Sequence, residues 1–163
     1  MSLFDEYRDV VRPAWIDANG HMNIGYYMVV FDFATDCFWD HLGLTREFKA
    51  EQNVMTFALE AHVMYLREVR DGAPLRFTTR LLDFDQKRIH YFHEMHHAEE
   101  GYLAATNEIL SLHVSGETRR SAPMASGIQN RLAQVLEAHR SSPPPPQAGR
   151  RIGLEKKPAS APN

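Results

Sequence analysis

The sequence predicts an α+β domain in which a curved antiparallel sheet is wrapped around one long central helix. Three observations carry that prediction. Residues 24–42, IGYYMVVFDFATDCFWDHL, are apolar except for Asp32, Asp36 and Asp40, whose spacing of four puts them on one helical stripe. Four later runs, 54–70, 74–83, 87–97 and 102–114, are rich in β-forming residues and are separated by Asp71-Gly72, Asp83–Asp85 and Glu99-Glu100-Gly101. One short strand candidate precedes the helix.

In chain order, EYRDVVRPA (6–14) reads as a first strand ending near Pro13, which cannot donate to a ladder. The loop WIDANGHMN follows, with Asn19-Gly20 as its turn signal. The helix after it is apolar almost all round, so it is either buried or membrane-spanning. Three carboxylates on a lipid-facing stripe and the lack of basic flanks favour burial, with Gly43 as the C-terminal cap. TREFKAEQN (45–53) reads as a polar connection. The long strands with short turns argue an antiparallel meander, and 127–139 reads as a last amphipathic helix through Leu132, Val135 and Leu136. The domain is set at 1–140. Residues 141–163 hold six of the nine prolines and few bulky apolar side chains, which predicts a disordered tail whose removal leaves assembly and activity unchanged.

Without that tail the body carries 14 basic and 20 acidic residues, the opposite of a nucleic-acid-binding footprint. One cysteine, Cys37, rules out an intrachain disulfide, and the N-terminus MSLFDEYRDV lacks the apolar run of a secretory signal, so the expectation is a cytoplasmic protein without a membrane partner.

Asp17 is the leading catalytic candidate. It lies in the loop just before the buried helix, where uncapped N–H groups and the positive helix end can face a developing oxyanion. A carboxylate beside such a site suffices to hydrolyse a thioester, because a thiolate leaves without a general acid. Asp17 would attack the carbonyl or deprotonate a water. The plainer alternative is that it caps the Asn19-Gly20 turn.

The segment WIDANGHMNIGYYMVVFDFATDCFWDHLGL resembles the opening loop and central helix of hotdog-fold acyl-CoA thioesterases of the 4-hydroxybenzoyl-CoA thioesterase type. The stretch KRIHYFHEMHHAEEGYLAATNEILSLHVSGETRRSAPM is similar to that family's closing strands, and in detail to betainyl-CoA thioesterases. The resemblance spans residues 6–124 and implies a hotdog thioester hydrolase acting on acyl-CoA without cofactor or metal. It gives Asp17 the catalytic position, and the amides around Asn23, Ile24 and Gly25 the carbonyl-polarising one. Asn19, Gly20 and His21 with Asn23 would shape the pocket, and Arg119 and Arg120 would meet coenzyme A phosphates. It also implies a homodimer or homotetramer with the pocket between subunits. Two alternatives stay open: a hotdog enoyl-CoA hydratase, from which D-A-N-G-H departs by lacking a proline and placing His21 early, and a non-catalytic acyl-CoA binder.

Among the remaining polar residues, period two sends His90 and His96 to one strand face and His93 and His97 to the other, which argues against a metal site. Glu60 and His62 are read on one face with Thr56, Ala58 and Met64, as a pocket wall or a solvated face. Cys37 reads as core filler. Trp15, Tyr26, Tyr27, Phe31 and Trp39 lie near Asp17 in sequence, and Trp15 with Tyr26 or Tyr27 would give a trimethylammonium group aromatic faces to rest on, the plainer alternative being that these rings are core.

Overall fold

The computed structural model describes residues 3–154. Its elements are β1 (Arg8–Val10), a 3₁₀ turn (Pro13–Trp15), α1 (Ile24–Leu42), α2 (Arg46–Glu51), β2 (Val54–Tyr65), β3 (Pro74–Phe84), β4 (Arg88–His97), β5 (Leu103–Ser115) and α3 (Ser126–His139). The five strands form one antiparallel sheet in the order β1-β3-β4-β5-β2. Register shifts at 58/60, 81/83 and 95/96 bend its strands, as extra residues in a ladder do, and the sheet curls around α1.

The helix packs one flank on the sheet. Tyr27, Val30, Phe31, Ala34, Thr35, Phe38, Trp39 and Leu42 are buried, with Asn23 capping the start and Gly43, at φ +85°, ending it. The apolar residues therefore fall into two cores: Trp15, Tyr27, Val30, Phe31, Phe77 and Met95 at the N-terminal end of α1, and Phe38, Trp39, Leu42, Tyr91 and Leu132 at its C-terminal end. Leu132 comes from α3, which lies along β3, so the predicted amphipathic face finds its partner.

Five expectations are corrected. The meander covers only β3-β4-β5, since β2 crosses to the far side of β5 and becomes an edge. β2 stops at Tyr65 because the chain peels away to bury Val69, whose carbonyl accepts from Met22 N–H. β1 is three residues long and gives way to the 3₁₀ turn at Pro13. Residues 46–51 are helical, capped by the Thr45 hydroxyl, a start signal overlooked within a polar segment. The sheet also does not enclose α1 on every side, for Ile24, Met28, Val29 and Phe33 are 37–64% exposed.

The described part of the tail departs from the expected disorder. Arg80 Nη1 donates to Ser142 O, Pro145 is buried, and Gly149 N–H donates to Glu108 Oε2, so residues 142–149 strap the outer sheet face. Residues 155–163 lie outside the described residues.

Candidate active site

The loop before α1 is folded by its own polar groups. Ile16 and Met22 form an antiparallel bridge, Asp17 N–H donates to His21 O, and Gly20, at φ +79°, donates to Asp17 O. That left-handed φ explains a glycine here. Asp17 Oδ1 accepts from Asn19 N–H at 2.8 Å, while its other oxygen makes no hydrogen bond among the described residues. One carboxylate oxygen thus caps the turn, and the other stays free of hydrogen bonds among the described residues.

At the helix start, Asn23 N–H donates to Trp15 O, and Asn23 Oδ1 accepts from Gly25 N–H at 2.9 Å. Tyr26 N–H donates to Asn23 O. Of the amides singled out in the sequence, those of Asn23 and Gly25 are therefore occupied; Ile24 N–H, at the positive end of α1, has no partner among the described residues. Asn23 itself acts as the cap.

Segment 66–70 braces the loop. His21 Nε2 lies 2.8 Å from Glu68 Oε2, and Glu68 Oε1 accepts from Arg70 Nη2 at 3.0 Å. Glu68 carries no sequence signal of this role, because it sits just past a strand end that the β-forming run conceals. Trp15 is buried and stacked on Tyr26 with ring centroids 5.6 Å apart, and the Arg12 guanidinium lies 4.8 Å from its centroid. Tyr27 is buried with its ring edge against Tyr65 at 5.1 Å, and burial raises its hydroxyl pKa. Of the aromatic pairs expected from the sequence, Trp15 is brought to Tyr26, while Tyr27 packs on Tyr65.

Arg119 and Arg120 are not brought to Asp17 within the chain. Arg119 sits beyond β5, its Nη1 3.2 Å from Met55 Sδ and its guanidinium 5.7 Å from the Phe57 centroid. Tyr65, near Tyr27, is at the other end of β2, roughly 30 Å away along the strand at the rise of extended backbone. Glu60 and His62 are likewise separated from Thr56 and Ala58, because the extra residue Leu59 turns the strand over between Ala58 and Glu60.

The histidines of β4 keep to two faces as period two requires. His90 and His96 meet Glu108 (2.8 Å) and Glu94 (3.4 Å) on the outer side. His93 points at α1, with Nε2 2.8 Å from Thr35 Oγ1 and Nδ1 2.8 Å from Thr79 Oγ1. Thr35 spends its hydroxyl proton on Phe31 O, so His93 donates from Nε2 and accepts at Nδ1. Beside it on β5, Asn107 is fully buried with its Oδ1 unpaired among the described residues, a state that costs about 1–3 kcal/mol.

A model of the thioesterase-like superfamily matches residues 11–132. The chain belongs to that superfamily. The betainyl-CoA thioesterase of Pseudomonas aeruginosa is 38% identical over 148 residues, 91% of this chain and 93% of that protein. An L-carnitine dehydrogenase/betainyl-CoA thioesterase of Rhizobium meliloti is 32% identical, this chain matching 29% of its length. Among solved structures, a Staphylococcus aureus protein determined in complex with CoA superposes with a TM-score of 0.86 at 27% identity, covering 95% of this chain and 99% of that one. A candidate thioesterase of Pseudomonas putida KT2440 gives 0.82 at 34%, covering 96% and 99%. The superfamily member described here has the hotdog fold and is a thioester hydrolase. No helix among its described residues is long and apolar enough to cross a membrane.

Proposed function

We propose that this thioesterase hydrolyses acyl-CoA, with betainyl-CoA as its substrate, at a site completed by a second protomer. The observation that carries the reading is a carboxylate with one free oxygen, Asp17, on the loop that ends at the unpartnered Ile24 amide of a buried helix. The thioester carbonyl oxygen accepts from Ile24 N–H, and charge developing on it is stabilised by the helix end. Asp17 either adds to the carbonyl, giving a mixed anhydride that water hydrolyses, or takes a proton from the attacking water. In both routes one water is consumed, and the C–S bond breaks to give coenzyme A thiolate and the free acid. The similarity to a betainyl-CoA thioesterase supports the choice of acyl group.

The second protomer follows from surfaces the single chain leaves open. β2 is an edge strand with Phe57 and Leu59 41% and 53% exposed, and the uncovered flank of α1 carries Ile24, Met28, Val29 and Phe33. Pairing two β2 edges antiparallel across a two-fold axis closes the edge and covers apolar surface. It also sets the Arg119 end of one β2 beside the Tyr65 end of the other, so Arg119 and Arg120 serve the coenzyme A phosphates of the partner's site.

Thiol release from betainyl-CoA is the test of the activity, and mixing tests the geometry. Asp17→Asn protein and a protein carrying Arg119→Glu with Arg120→Glu, each weak alone, regain activity when mixed and re-formed, because each hybrid holds one intact site. Absence of recovery in verified hybrids refutes the shared site. Absence of thiol release from any acyl-CoA by the unaltered protein refutes the function.

A further inference from the structure

The tip of the Asp17 loop is tied to the rest of the molecule at a single polar point. Within residues 17–21, Asp17 N–H donates to His21 O, Gly20 N–H to Asp17 O, and Asn19 N–H to Asp17 Oδ1. Among the described residues, the only hydrogen bond or ion pair that leaves this tip joins His21 Nε2 to Glu68 Oε2, at 2.8 Å.

The far side of that contact is fixed. Glu68 Oε1 accepts from Arg70 Nη2, and Glu68 O accepts from the Tyr102 hydroxyl, both at 3.0 Å. Just before it, Leu66 and Arg67 N–H donate to Ala104 O on β5. Just after it, Val69 is buried and its carbonyl accepts from Met22 N–H. Residue 68 is thus anchored on both sides, and Arg70 holds its carboxylate while leaving one oxygen for His21. On the loop side the relay is short, because His21 O holds the amide of Asp17 itself.

The fold has little use for this pair. The side chains of His21 and Glu68 are 32% and 49% exposed, and ion pairs in such surroundings add little to stability. Placing a reacting carboxylate is a stricter demand, since a displacement of about 1 Å spoils its attack geometry. We propose that Glu68 is a positioning residue for the hydrolysis, holding the Asp17 carboxylate in place through His21. The inference rests on the preceding reading that Asp17 is the catalytic carboxylate. Without the contact, the tip beyond the Ile16–Met22 bridge is free to swing, and Asp17 spends less time beside the Ile24 amide.

The test follows thiol release from betainyl-CoA by Glu68→Ala, Glu68→Gln, His21→Ala and the double alanine change. Glu68→Ala lowers kcat about fivefold, the ceiling that an exposed ion pair sets, with KM held within about twofold and Tm within about two degrees. Glu68→Gln keeps an oxygen to accept from His21 and restores most of kcat. His21→Ala costs as much as Glu68→Ala, and combining them costs no more, because the two side chains act as one unit. A merely structural role would lower Tm and leave no such coupling in kcat. Amide hydrogen exchange reads the same contact without catalysis: Glu68→Ala speeds exchange at Asp17 about fivefold and leaves Asn23 unchanged. Unaltered kcat and exchange in Glu68→Ala, or losses that multiply in the double change, overturn the positioning role alone. Full turnover by Asp17→Asn overturns the catalytic reading beneath it and the positioning role with it.

Discussion

His139 Nδ1 accepts a hydrogen bond from the main-chain N–H of Leu81 at 2.9 Å, so the last residue of α3 closes a part of β3 that β1 is too short to reach. The nitrogen can accept only while unprotonated.

Stability should therefore fall in mild acid. Burial first, then Arg80 and His41, lowers the His139 pKa to about 4, and burial lowers that of His93 to about 3. Both folded values lie below the unfolded one, so their contribution is complete above about pH 6.5 and drains away as the pH drops toward 4 and 3. Urea denaturation at pH 7, 6, 5 and 4 should show a loss of roughly 1 kcal/mol per pH unit for each histidine. His139→Asn keeps an acceptor without the titration and should flatten the profile by one proton; an unchanged slope refutes the assignment.

Asp17→Asn should lower kcat by about a hundredfold or more with the fold intact, the scale of a lost acid–base catalyst. Asp17→Glu should also be poor, because an added methylene moves the carboxylate by about 1 Å. Retained turnover within about threefold in circular-dichroism-verified protein would move the chemistry elsewhere.

Asn23→Ala removes the α1 cap and should destabilise by about 1 kcal/mol in chemical denaturation, whereas Asn23→Asp should retain most stability. Equal losses from the two changes would show that the side chain acts through something other than the Gly25 amide.

Helix, strands and site loop were legible because each announces itself locally. The apolar run with its four-spaced acids, the turn dipeptides and D-A-N-G-H next to a buried helix need only neighbours to be understood. What escaped depends on distant partners. That β2 ends at Tyr65 follows from burial of Val69 against the Asp17 loop, and the face swap at Glu60 follows from one extra residue opposite β5. That Trp15 pairs with Tyr26 and Tyr27 with Tyr65 also escaped, because sequence proximity to Asp17 says nothing about which surface a ring covers. The tail looked unattached because its contacts are main-chain groups, Ser142 O and Gly149 N–H, which are indistinguishable in sequence from any others.

Leu59→Arg, at the middle of the exposed β2 edge, should split the assembly and abolish most thiol release together, in sedimentation and in assay. A homodimer that survives the change at micromolar concentration would place the interface elsewhere.

Deleting residues 141–163 should lower Tm by several degrees, because Arg80 and Glu108 lose their strap partners and the face beneath Pro145 is bared. Glu108→Gln should lower it less, since the amide oxygen can still accept from Gly149 N–H while its NH2 replaces the oxygen that meets His90. An identical Tm for the truncated chain would restore the reading of the tail as unattached.

The strand order β1-β3-β4-β5-β2 also has a consequence for biosynthesis. β2 is translated before β3 and β4, yet among the described residues its only ladder is to β5, which leaves the ribosome last among the strands. Until then a twelve-residue segment, VMTFALEAHVMY, waits with neither edge paired. Such non-local closure slows folding and exposes sticky backbone. A nascent chain stalled after β4 is thus the form of this protein most in need of a chaperone, and codons that delay β5 lengthen that vulnerable interval.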